Sequence, residues 1–134
     1  MKLIALFLLL LAPLLPQERP AYAAGQVWEY RTRAQDSGSL LKVQQVETDP
    51  AGKPIYHISL IGIHVQGLRG EEAQHLPVSR ETLDASVTRL SSSRAPFPDP
   101  SEGITIWRDA HGGVFTIPVA EIVDVIAASA TAQR

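Results

Sequence analysis

The run IYHISLIGIHV, residues 55 to 65, holds two histidines, His57 and His64, seven positions apart in the most β-prone part of the chain. Imidazole titrates near neutral pH and ligates metals readily, so the pair raises the question of a shared site. In an unbroken strand successive side chains alternate faces, and positions seven apart point to opposite sides of a sheet. A bulge at Gly62 would bring the two to one side, but at roughly 3.3 Å per residue they would still stand about 20 Å apart. They cannot ligate one ion. His57 remains free to meet His75 or His111 from elsewhere in the fold, and a small-ligand or metal-binding domain that uses these histidines on a concave sheet face is the alternative reading of the chain. No metal ligand set and no cofactor motif is assigned.

Other residues with chemical potential lead to plainer readings. RDAHGG, residues 108 to 113, has the outline of the His-Gly-Gly oxyanion loop of esterases, but such a loop serves a nucleophile in a strained G-x-S-x-G turn, and the chain has none. Asp109 near His111 suggests a dyad without a hydroxyl to activate. Zincin, phosphate-loop, dinucleotide-fold and calcium-loop signatures are missing as well. Glu71 with Glu72, and Glu81 with Asp84, read as solvated loop and helix surface. No catalytic residue is therefore nominated. Trp28, Tyr30 and Trp107 are the heaviest apolar groups outside the N-terminal stretch and are expected in or beside the core. If Trp28 or Trp107 lies exposed beside the proline-rich segment, a partner-binding patch follows. The candidate binding residues are Trp28, Arg94, Phe97, Trp107 and His111.

The elements that must position these residues can be read from periodicity. GQVWEYRTR (25 to 33) alternates as an amphipathic strand, AQDSGS is a turn, and LLKVQQVE (40 to 47) resumes the two-residue period. After the turn cluster TDPAGKP, residues 55 to 65 form a third strand. Short links favour an antiparallel meander. GLRGEEAQHLP reads as a polar loop. VSRETLDASVTRL (78 to 90) spaces Leu83, Val87 and Leu90 as one helical face, with Ser79 as N-cap and Val78 stapled to Leu83. Pro96, Pro98 and Pro100 alternate through a stretch that forbids a regular ladder. ITIWRDA (104 to 110) fits either a strand or a short helix starting near Ser101, Gly112-Gly113 breaks it, and VFTI (114 to 117) reads as a short strand. VAEIVDVIAAS (119 to 129) places Val119, Ile122, Val123 and Ile126 on one face of a helix beginning near Pro118, with a strand as the minority reading because of its β-branched content.

The chain opens MKLIALFLLLLAPLLPQERPAYAAGQ: one cation at Lys2, an apolar run from Leu3 to Leu15, then small residues at Ala21 and Ala23. This order of parts is a secretory signal peptide. Its apolar run falls short of the roughly 20 residues that span a bilayer, so no permanent membrane anchor is expected after cleavage. The A-x-A rule places the cut after Ala23, leaving one small α+β domain from residue 24 to 134. Of the 12 basic and 14 acidic residues, Lys2, Arg19 and Glu18 leave with the leader, so the mature net charge is −3. That charge is scattered rather than striped, which argues against nucleic acid as a partner. With no cysteine in the chain, thiol catalysis, disulfides, zinc-thiolate sites and iron–sulfur clusters are excluded, as is a lipoprotein-type anchor. A bacterial periplasmic or secreted location is expected.

GQVWEYRTR, IYHISLIG, LPVSRETLDASVTRL and GVFTIPVAEIV together resemble a family of small exported bacterial proteins with no established activity. The resemblance covers nearly all of the mature chain, carries no catalytic signature and transfers no functional residue. The expected fold is α+β, a three- or four-stranded antiparallel meander with two or three helices packed on one face. The expected function is a non-enzymatic exported module that binds another protein, as an inhibitor, an immunity factor or an envelope accessory protein.

Overall fold

The computed structural model describes residues 21–132. All of the expected leader except residues 21–23 lies outside them. The fold is α+β: five antiparallel strands, β1 (Val27–Tyr30), β2 (Leu40–Thr48), β3 (Pro54–Ile61), β4 (Glu72–Val78) and β5 (Val87–Ser91), with three helices, α1 (Arg80–Ser86), α2 (Ser101–Asp109) and α3 (Val119–Ala132). The sheet order is β4-β3-β2-β1-β5. The expected meander is therefore present as β1 to β4, and α1 then carries the chain across to add β5 on the far side of β1.

Four segments depart from the sequence expectation, each for a local reason. The polar stretch expected as a loop contains β4. Its register on β3 slips between Ile58 and Leu60, so Gln74 and His75 together interrupt the two-residue period that would have marked a strand. Pro77 is tolerated there because β4 is an edge strand. Its carbonyl turns outward, accepting from Phe115 N at 3.0 Å, and the donor it lacks would have pointed the same way. The helix expected over 78 to 90 stops at Ser86. Ser79 does cap it, with Oγ accepting from Thr82 N at 3.2 Å. Beyond Ser86, β-branched Val87 and Thr88 favour the open edge of β1, where Leu90 pairs with Trp28 and Arg89 with Glu29. VFTI contributes a single parallel bridge, Phe115 to Val78, rather than a strand. ITIWRDA is helical as far as Asp109, within α2. β3 ends at Ile61, because Gly62 adopts φ 76.

Alternation assigns the two faces. Leu41, Val43, Tyr56, Ile58, Leu60, Leu76 and Val78 share one face with Trp28 and Tyr30, and Leu83 of α1 with Val119, Ile122 and Val123 of α3 closes the core over it. The opposite face presents Lys42, His57 and Ser59. This face is covered by α2 and the proline segment: Gln44 Nε2 donates to Pro98 O at 3.0 Å, and Lys42 Nζ lies 5.9 Å from the Phe97 ring centre. Helices thus lie on both faces, where one had been expected.

Candidate functional site

The site begins with one irregularity in β2. Leu41 and Val43 pair with Leu60 and Ile58 on the core face, and the register slips before Gln45, which opposes His57; Val46 then opposes Tyr56 and Glu47 opposes Ile55. Had the alternation continued unbroken from Val43, Glu47 would point into the apolar core. The bulge reverses the phase and sets Glu47 on the same face as His57.

There His57, fully buried, is held from both ring nitrogens. Nε2 lies 2.6 Å from Glu47 Oε1 and Nδ1 lies 2.8 Å from His75 Nε2. The two imidazoles are nearly parallel, 5.0 Å between centres at 28°. Trp107 of α2 stands edge-on above them, 4.9 Å from His57 and 6.3 Å from His75, and its indole N–H donates to Gly113 O at 2.9 Å. The next residue, Arg108, donates from a terminal guanidinium nitrogen to Glu47 Oε2 at 3.0 Å. Two glycines allow this approach. A Cβ at Gly103 would stand 2.6 Å from the His75 Cβ, and one at Gly112 would run into the Trp107 ring.

Electrostatics fix the proton positions. The hydrogen bond from His57, helped by Arg108, holds the Glu47 carboxyl below its ordinary range. Glu47 is thus an acceptor, and the His57 Nε2 is a donor. Loss of solvation, reinforced by the adjacent His57, pushes the His75 imidazole down to about 4, so His75 is neutral at neutral pH and one proton bridges the two rings. The result is a carboxylate–imidazole–imidazole chain that begins under Arg108 and ends at His75. Ring nitrogen Nδ1 of His75 makes no hydrogen bond among the described residues, and His75 lines an open groove with Leu68, Arg69, Glu72, Gly103 and Ile126.

Such a chain can relay or store a proton, but it has nothing to activate: among the described residues no hydroxyl is bonded to either histidine. Nor does any group of three or more His, Cys, Asp or Glu side chains among them suit a metal ion. What the array does mechanically is clear. It fastens α2 to a sheet face that is otherwise largely polar.

The sequence candidates divide accordingly. Trp28 is a core residue, 7% exposed, with Nε1 donating to Gln26 Oε1 at 3.2 Å. Arg94 is exposed in the segment leading to α2, and Phe97 is half-buried against Lys42. Trp107 roofs the histidine pair. His111 is exposed at the end of α2, at φ 50, and lines an open groove of about 230 Å³ with Glu47, Asp49, Trp107 and Arg108. It is not paired with Asp109. His57 meets His75 and not His64, which lies 3.2 Å from Glu71 on the surface. Sequence reasoning missed Glu47 and Arg108, and only recognition of the bulge could have found the first.

Comparison of the chain with family models, curated proteins and solved structures finds no match.

Proposed function

We propose that the chain is an exported, non-enzymatic module that binds another protein, of the inhibitor, immunity or envelope accessory kind, in the bacterial periplasm or beyond it. The observation that carries this reading is the outer side of α2. Ile106 is 61% exposed there, while its neighbours Trp107 and Arg108 anchor the helix to Glu47 and His57. A firmly seated helix that turns a large apolar side chain to water is suited to a partner's surface. Phe97, against Lys42, and Arg94, exposed, lie in the proline segment that leads into α2. The occupied nitrogens of His57 support a structural role for the array rather than catalysis, and the leader-like N-terminus supports export.

The test is a photo-crosslinking residue at position 106 in an export-competent bacterium. One discrete adduct with a different protein is expected, lost when Phe97→Ser and Arg94→Glu are combined. No adduct, or adducts with many proteins at equal yield, refutes the reading.

A second reading has its own observation. Trp107, Arg108, His111, Glu47 and Asp49 converge on one groove, which suits a small polar ligand or an ion better than a protein. Metal analysis and native mass spectrometry of the purified protein separate the two: a stoichiometric small ligand or metal favours the groove.

A further inference from the structure

We infer that Tyr22 is a permanent part of the folded domain, so that any cut releasing the leader falls on its N-terminal side. The small-residue pairs at the spacing read by a signal peptidase are Ala21 with Ala23 and Ala23 with Gly25. Either would place the cut beyond Tyr22 and remove it.

Tyr22 is built into the core. It is 7% exposed, packs edge-on against Trp28 at 5.6 Å and 68° and against Tyr56 at 5.5 Å and 82°, and donates its hydroxyl to Asp84 Oδ1 of α1 at 2.6 Å. The Arg80 guanidinium lies 5.3 Å from its ring centre. One side chain thereby joins β1, β3 and α1. Its flanks are tied in as well. Gln26 Oε1 accepts from Ala23 N at 3.0 Å, Gly25 N donates to Val43 O at 2.7 Å, and Val43 N donates to Gln26 O at 2.9 Å, which continues the β1–β2 pairing toward the N-terminus. A chain beginning at Ala24 would open the flanks of Trp28 and Tyr56 to water and leave Asp84 without its phenol donor.

The experiment expresses the full-length gene with a C-terminal tag in an export-competent bacterium, separates cytosol, periplasm and membranes, and reads the intact mass. A mass that includes Tyr22 is expected. An N-terminus at Ala24 or Gln26 overturns the inference. Tyr22-containing protein confined to the cytosol would uphold it while sinking the export reading on which the proposed function rests, so the two failures are distinguishable. A second measurement covers chains made without the leader. Chains starting at Ala21 and at Ala24 are melted side by side, and Tyr22→Phe in the longer chain removes the hydroxyl alone. The shorter chain should melt lower by about 10 °C or more, with the Phe variant between the two. Equal midpoints for the two chains overturn the inference.

Discussion

Acid should loosen this domain well before its carboxylates titrate, and His75 should be the cause. Its folded pKa of about 4 lies below the ordinary 6.5 because burial, and then His57, oppose its charge. A group whose charged form is disfavoured in the folded state binds its proton more readily when unfolded, so stability is complete above pH 6.5 and falls as pH drops from 6.5 toward 4. In full, that gap corresponds to about 3.4 kcal/mol. Between pH 7 and pH 5 linkage gives about 1.8 kcal/mol, and because His75 is partly solvated, screening should reduce the observed loss to about 1 kcal/mol. Urea unfolding followed by far-ultraviolet circular dichroism at pH 7, 6 and 5 measures it. His75→Gln, which keeps a polar group without the titration, should flatten the profile to within about 0.3 kcal/mol across the same range. A wild-type profile that is flat, or one that the variant reproduces, would refute the assignment of a neutral His75 to the array.

Other perturbations test neighbouring contacts. Below about pH 4.5 the depressed carboxyls of Glu47 and Asp36 should add a second, steeper loss, since stability from a lowered carboxyl disappears as pH falls through its folded value; Glu47→Gln should weaken that phase and destabilise the protein at pH 7 by about 1–3 kcal/mol, measured by the same titrations. Gly103→Ala forces a methyl onto His75 and should cost about 1–3 kcal/mol, with a change in Trp107 fluorescence as α2 shifts. Leu83→Ala, fully buried between α1 and the core, should cost about 2–5 kcal/mol. Ser79→Ala removes the α1 cap and should cost about 1 kcal/mol in thermal unfolding.

The parts of this molecule legible from its sequence are those where one period runs uninterrupted. The first and third strands, the second as far as Val43 and the C-terminal helix beginning after Pro118 follow from apolar spacing, and the cap at Ser79 from its residue type just ahead of a helical run. The histidine pair His57 and His64 could be dismissed from spacing alone, and His75 stood among the possible partners of His57. What escaped reading depended on tertiary competition. β5 exists because β1 offers an unpaired edge to Val87 and Thr88, and β4 hides behind a two-residue interruption at Gln74 and His75. The placement of Glu47 escaped for the same reason: parity counted from Val43 points it inward, and the bulge at Gln44 reverses the count. Arg108 and Trp107 could be placed only once residues 101–109 were known to be helical and laid across the polar face.

That bulge carries a consequence for how the chain tolerates change. Gln44 is the extra residue, so substituting it alters its bonds to Ser59 and Pro98, and deleting it would leave Gln45 opposite His57 and Glu47 opposite Ile55 in one regular ladder. The carboxylate would stay beside the imidazole, Val46 would stay on the oily side, and Arg108 would keep its anchor. The bulge is therefore a point of slack: a codon lost here should do less harm than one lost elsewhere in the strand, where everything beyond the gap would turn over.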